Sequence, residues 1–547
     1  MRLRTLFVII FILSQSLLFS QVSQQNHSDP AISDFSGVLS FLSSDWLEGR
    51  EAGEKGSFMA ADYIASMMEL YKLKPAGDIE TLKTNTENPG KITAKRKQTF
   101  FQNFEIVRYK TGKAALAFVN HGTASENVKE LLPDIDFETE PCPSGMETEA
   151  PVVFGGYGLS IPSKGYDDYK GLDVKGKIVV VMKGFPGHAD TNSIAWKKLG
   201  KGLSDENNLE ENKLISAFRK GSVGLIVVAA DGSIKPYSHS QRNRSILKST
   251  MNSLKDTDPE YEEYYHALPG DTSIAAIPCF RLGAAATNQL FAGTGINLTD
   301  IETKISRELV TSSSVLKGKV IRFSVELKSE SLCVRNVLGM IPGKDSTKNI
   351  IVGGHYDHLG IHEGFIFNGS DDNASGTSGM LALAKTWSES GAQPNCNIIF
   401  ASWTAEESGL LGSSFYTQHA GPARQKTMLY INMDMISRSA PEDTARRILS
   451  VGTEKGSDKL RNLAVANNKN LSHPFVLDLW DTNDHTGSDY ASFTPYKIPV
   501  MTFFSGFNDD YHTPRDIAAK ADLNKMADIL KLVNNCLKAF NEDIEKK

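Results

Sequence analysis

Five separate segments of this 547-residue chain carry side chains that hold cations or move protons. They are Gly353-Gly354-His355-Tyr356-Asp357, Asp371-Asp372 within 368–376, Glu406-Glu407 within 403–409, Asn432-Met433-Asp434, and Tyr511-His512. Imidazole and carboxylate together, without cysteine, suit a hydrolytic zinc centre. A carboxylate between two ions ~3.5–4 Å apart would let both polarise one water and one carbonyl. A further carboxylate, off the metal, would take the proton from that water. Adjacent Glu406 and Glu407 suit such a division, one a ligand and its neighbour the base. Neighbouring side chains of a flat strand point to opposite faces. The backbone must therefore leave strand geometry there, a change that Ser408-Gly409 would ease. Each segment alone also reads as something simpler: a loop residue, the solvated start of a helix, or a turn with an N-cap. The joint occurrence of all five carries the metal reading.

The elements that must position these residues are legible in the apolar pattern. Runs at 349–354, 398–403, 428–432 and 499–504 read as buried strands, and further strands are expected at 320–327 and 336–341. Met380, Leu383, Ala384 and Trp387 predict a helix over 376–388. A last helix starts at Asp522, a suitable N-cap, with Met526, Ile529, Leu530, Val533 and Leu537 on one face. Strands alternating with helices imply an α/β sheet covered on both faces. Four of the five segments follow a strand and the fifth opens a helix. Ligands of open α/β sheets bind at that carboxyl edge. Upstream, 29–80 reads as helical and the polar stretch 79–99 as a loop or insertion. A separate module of ordinary domain size follows. It has strands near 177–182, 224–229 and 277–282 and a helix near 212–220, but no spaced cluster of His, Asp or Glu.

Bulk composition excludes some classes. Apolar content of 40%, charged content of 23% and a net charge of −6 describe a globular protein, with no reason to expect nucleic acid or an anionic membrane as partner. Arg2 and Arg4 precede an apolar stretch that ends at Phe19-Ser20. This pattern predicts a signal peptide over 1–20 and a secreted or periplasmic protein. The run is shorter than the ~20 residues of a membrane span, and no later segment qualifies. The five cysteines lie far apart without a CxxC pair, so no disulfide framework is expected.

The phrases GGHYDHLG (353–360), NGSDDNASG (368–376), WTAEESGLLGS (403–413), INMDMI (431–436), GSDYASF (487–493) and YHTPRD (511–516) resemble the dizinc aminopeptidases of peptidase family M28. Leu47-Glu48-Gly49-Arg50-Glu51-Ala52-Gly53 is similar to that family's N-terminal region. The resemblance implies a mixed β-sheet flanked by helices, of the zinc exopeptidase type, with an inserted β-rich protease-associated (PA) domain. It places peptidase sequence at 21–140 and 311–547 and the insertion at 141–310. It implies two Zn2+: His355 and Asp434 hold one, Glu407 and His512 the other, and Asp372 bridges them. Glu406 is then the general base, Asp357 orients His355, and Tyr511 stabilises the oxyanion. Asp489 falls near the site. A cis peptide is implied at Asp372–Asn373. His358, His362 and His485 are taken as loop residues. The implied substrate is a peptide with a free N-terminus. The alternatives on the same fold are a carboxypeptidase of acidic dipeptides, a glutaminyl-cyclase-like acyltransferase, and a binding protein that has lost its metals.

Overall fold

Runs such as Ile178–Met182 (IVVVM) and Gly224–Val228 (GLIVV) are apolar at every position, which is the signature of strands covered on both faces. A computed structural model of the chain bears this out. It describes residues 30–85, 92–121, 126–203, 209–237, 264–271, 276–420 and 425–544. The chain forms two compact units, one from Met1–Glu105 with Cys333–Lys547 and the other from Ile106–Leu332.

In the first unit the strands pair in the order Val476–Asp481, Ile448–Thr453, Val500–Phe504, Thr427–Met433, Asp345–His355, Cys396–Trp403, and the end of Ser313–Ile341. The four from Val500–Phe504 to Cys396–Trp403 run parallel, and the flanking pairings at Ile448–Thr453 and at Val337–Ile341 are antiparallel. Alternate residues go to opposite faces. Ile350, Val352, Ile398, Phe400, Leu429 and Ile431 join one core with helices Ile32–Leu42, Lys55–Leu70, Gly376–Glu389 and Leu523–Ile544. Ile351, Ile399, Ala401, Trp403 and Tyr430 join the other, under Tyr416 of helix Leu411–His419. The result is a mixed sheet flanked by helices, as expected.

The last helix is capped as its sequence predicts: the Asp522 carboxylate accepts a hydrogen bond from the Lys525 amide (3.0 Å). Gly379 lets two helices touch, since a Cβ there would lie 2.7 Å from Leu530 Cδ2. The stretch 79–99, read as a loop or insertion, holds an antiparallel strand pair, Ile79–Asn85 with Ile92–Gln98. Its polar alternation belongs to a ribbon with little apolar content, which the apolar pattern does not reveal. The strands Ile448–Thr453 and Val476–Asp481 are likewise absent from the sequence reading.

In the second unit, Met146–Gly155, Ile178–Met182, Gly224–Val228 and Cys279–Leu282 pair in parallel in that order. Val180, Met182, Ile226 and Val228 enter one core; Val179, Val181, Leu225 and Val227 enter another. The expected insertion, 141–310, is narrower than this unit. Leu116–His121 pairs with Glu126–Leu131, Phe137–Thr139 with Phe280–Leu282, and Ser313–Val325 with Met146–Gly155. These pairings, rather than composition, assign the flanking strands to the second unit. The expected signal peptide lies outside the described residues. No described helix is long and apolar enough to cross a membrane.

Candidate metal centre

The parallel register brings four strand ends level. His355 lies opposite Trp403, whose strand leads to Glu406-Glu407, and Met433, just before Asp434, lies opposite Phe503. Asp372 reaches the same edge from the turn Ser370–Ser375 that opens helix Gly376–Glu389. The peptide Asp372–Asn373 is cis, as the resemblance implied. Gly376 permits that approach: a Cβ there would sit 2.2 Å from the Met433 carbonyl oxygen.

The loops then turn through uncommon backbone. Ala405 (φ 54°), Met435 (φ 51°) and His512 (φ 54°) all occupy the left-handed region, which non-glycine residues enter at a cost. Ala405 answers the problem of the adjacent glutamates. The chain leaves strand geometry there, one residue before Glu406, and not first at Ser408-Gly409. Asp357 secures the turn: its carboxylate accepts the amides of Glu406 (3.2 Å) and Glu407 (3.4 Å).

Two sets of donor atoms converge. His355 Nε2 lies 3.3 Å from Asp372 Oδ1 and 3.5 Å from Asp434 Oδ1. His512 Nε2 lies 3.1 Å from Asp372 Oδ2 and 3.2 Å from Glu407 Oε2. Two atoms bonded to one tetrahedral zinc at ~2.0–2.1 Å stand about 3.3 Å apart. All four spacings match that edge, and Asp372 turns one oxygen to each set. Groups His355–Glu406–Asp434 and His358–Asp372–Glu407–His512 could each hold a metal ion. His355 Nε2 and Asp434 Oδ1 are buried without a hydrogen-bond partner, so both remain available to an ion. The residues present therefore fit a zinc pair.

Hydrogen bonds fix these atoms. His355 Nδ1 donates to the Asp357 carbonyl (3.2 Å), which leaves Nε2 bare for a metal. Asp357 thus orients this ring through its carbonyl; its carboxylate lies 3.7 Å from Nδ1 and serves the glutamate amides. Ser488 Oγ donates to Asp434 Oδ2 (2.6 Å) and accepts from Asn432 Nδ2 (2.9 Å). Asp516 accepts the amides of Asp371 (2.9 Å) and Asp372 (3.1 Å). Asn373 holds the Met433 carbonyl and the Met435 amide. Beneath them Arg50, fully buried, donates to the carbonyls of Leu42, Tyr356, Asn368 and Gly369.

The electrostatics separate the two glutamates. Burial, aided by Glu407 and Asp434 against the pull of His355, pushes the Glu406 carboxyl well above its ordinary value. Burial and Asp372 also oppose ionisation of Glu407, but His512 and His358 outweigh them and leave it at about 2. Burial likewise opposes ionisation of Asp372, yet the adjacent imidazoles of His355, His512 and His358 hold it well below the usual range. A pair of acids pushed apart in this way divides into a proton carrier and an anionic ligand. Burial pushes Asp489, wholly inside, up to about 7. The Tyr511 ring stacks on His512 (3.8 Å between centroids). Burial and the nearby acids Asp372 and Glu407 push its phenol up, so it remains a proton donor. The His512 side chain is 34% exposed, which opens the site to solvent on that side.

All eight residues named from the sequence thus stand at one edge. His362 lies against Phe367 and His485 against Trp480, consistent with loop roles. His358 does not fit that expectation: its side chain is fully buried in the centre, beside Glu407. Arg50, Ser488, Asp516 and His358 were missed as site residues. All four lie within the quoted phrases, which was the available signal.

The comparisons agree with this geometry. Residues 336–537 match the sequence profile of Peptidase family M28. Leucine aminopeptidase 2 of Arthroderma otae is 36% identical over 201 residues, covering 36% of this chain and 38% of the relative. Leucine aminopeptidase 2 of Trichophyton equinum is 35% identical over 201 residues, with the same coverage. The chain thus spans less than half the length of these curated relatives. An aminopeptidase structure from Aneurinibacillus sp. strain AM-1 is 19% identical, covers 94% of each chain and has a TM-score of 0.53, a likeness of fold. The segment 336–537, which carries these donor residues, matches peptidase family M28.

Proposed function

We propose that the protein is a zinc aminopeptidase that removes N-terminal residues from peptides. The observation that carries this is the pair of donor sets sharing Asp372 at 3.1–3.5 Å spacing. His355, Asp434 and Asp372 would hold one ion, and Glu407, His512 and Asp372 the other. When bound, the ions supply Lewis-acid polarisation of the scissile carbonyl and a more acidic water. Glu406 accepts the proton of the attacking water and delivers it to the leaving amine, for which its raised carboxyl is suited. Tyr511 donates to the developing oxyanion. Asp357 holds Glu406 and Glu407 in place through their amides.

The excess of buried acid favours a substrate that brings a positive amine. A carboxypeptidase of acidic dipeptides would instead need free arginines. Arg438 and Arg515 both engage Asp510 (3.0 and 2.9 Å), and Arg50 is taken up by four carbonyls. The full donor set argues against a metal-free binding protein and against a one-zinc cyclase. Leader-like residues 1–20 support export. The insertion of Ile106–Leu332 between two parts of the first unit supports reading it as the PA-type module.

A leucine-led peptide and its N-acetylated twin, followed by mass, test the reading. Stepwise loss from the free peptide alone is expected. Cleavage of the acetylated twin, or loss of C-terminal residues, would reject it.

A further inference from the structure

His358 is the one buried imidazole of the centre to which the resemblance assigned no role. Its Nδ1 lies 2.6 Å from Glu407 Oε1. That distance sets it apart. The four imidazole–carboxylate spacings that suit a shared ion run from 3.1 to 3.5 Å. Two ligands of one tetrahedral zinc stand about 3.3 Å apart, whereas a charge-assisted hydrogen bond is shorter, ~2.7–2.9 Å. His358 and Glu407 are therefore bonded to each other. An ionised carboxylate only accepts, so Nδ1 carries the hydrogen. The bond occupies Oε1 and leaves Oε2, 3.2 Å from His512 Nε2, to face the ion position.

The ring cannot swing away. A Cβ at Gly369 would meet its Cγ at 2.4 Å, so the turn leading to Asp372 closes directly over it. His512 meets it edge-on at 5.6 Å. The arrangement parallels the other side of the centre, where Ser488 occupies Asp434 Oδ2 and leaves Oδ1 bare.

We propose that His358 is a positioning residue that clamps Glu407 so that the carboxylate offers one oxygen, not two, to its metal. The proposal rests on the dizinc reading above. Without the clamp, Glu407 is free to rotate and to take a second coordination position, and the site loses its preformed geometry. Loss of such an outer partner costs ~10–100-fold in metal affinity.

The test uses the full chain with His358→Asn, His358→Leu and His358→Gln, titrated with zinc against a competing chelator. Circular dichroism checks the fold. The Asn amide can reproduce the Nδ1 donor; Leu cannot, and the Gln amide reaches toward Nε2 instead. We expect His358→Asn to keep both zinc affinities near wild type. His358→Leu and His358→Gln should weaken one site by ~10–100-fold and spare the other. If His358→Leu does not fold, the Asn and Gln variants carry the comparison. Wild-type affinity in all three variants, or equal loss in all three, would overturn the proposal. A wild-type chain that binds no zinc would instead reject the underlying dizinc reading.

Discussion

Both units bury charged groups, but they do so in opposite ways. Among the described residues of the second unit, buried Asp168 and Lys213 and half-buried Arg281 are each closed by their own partners. Asp168 accepts from the amides of Tyr157 and Leu159 and from the Tyr166 hydroxyl. Lys213 donates to the carbonyls of Met182 and Gly184. Arg281 is met by Glu138, Glu140 and Glu210. In the first unit the acids Asp372, Glu406, Glu407 and Asp434 converge on one another and on His355 and His512, with buried donor atoms left bare. An unpaired buried charge costs several kcal/mol. A cation bound among such atoms would stabilise the cluster. Burial and charge alone do not mark a site; convergence of unsatisfied atoms does.

The sharpest way to break the contrast is to remove the shared atom pair. Asp372→Ala should reduce peptidase activity to background and lower zinc binding at both positions, measured by metal content after dialysis. Chelation of the wild type should do the same and lower its melting temperature. Zinc at ~1,000-fold over its dissociation constant would restore about 4 kcal/mol.

Next in size is the division between the glutamates. Glu406→Gln should cut kcat by ~10²–10⁴-fold with zinc content unchanged, whereas Glu407→Gln should lose metal as well. A smaller effect, on stability, is expected beneath the site. Arg50→Ala leaves four carbonyls without their donor and uncovers the neighbouring acids, and should cost about 3–5 kcal/mol in urea unfolding.

The smallest effect comes from the second unit. Burial raises the Asp168 carboxyl from its ordinary value to about 7, despite its three donors. The folded state then binds this proton more tightly than the unfolded chain. Its contribution is full below about pH 4 and is lost as the pH rises through about 7. The wild-type-minus-Asp168→Asn difference in unfolding free energy should therefore fall over that range. Turnover of a dipeptide amide should remain unchanged.

The sequence made the first unit's site more legible than its second unit. His355, Glu406, Glu407, Asp434 and His512 follow apolar runs that are unmistakable because both faces of each strand are buried, and Asp372 precedes a helix with a clear apolar period. The runs at 178–182 and 224–228 were visible for the same reason. The paired strands at 79–98 were hidden, because they carry little apolar content; the strand at 320–327 was legible, but its pairing with Met146–Gly155, which assigns it to the second unit, is long-range and leaves no local signal. The support of the site was hidden for another reason. Whether the Asp357 carboxylate turns to an imidazole or to two amides, and whether His358 faces solvent or Glu407, depends on turns such as Ala405. No periodicity predicts a left-handed alanine.

Arg50 binds carbonyls more than 300 positions further along the chain, at Tyr356, Asn368 and Gly369. The family match begins only at residue 336. A fragment trimmed to 336–537 would keep every donor atom of the centre yet lack the guanidinium that ties their loops together. Functional autonomy therefore does not coincide with sequence similarity here. During synthesis the segment around Arg50 must wait for the later one, and the centre is completed only when the two meet.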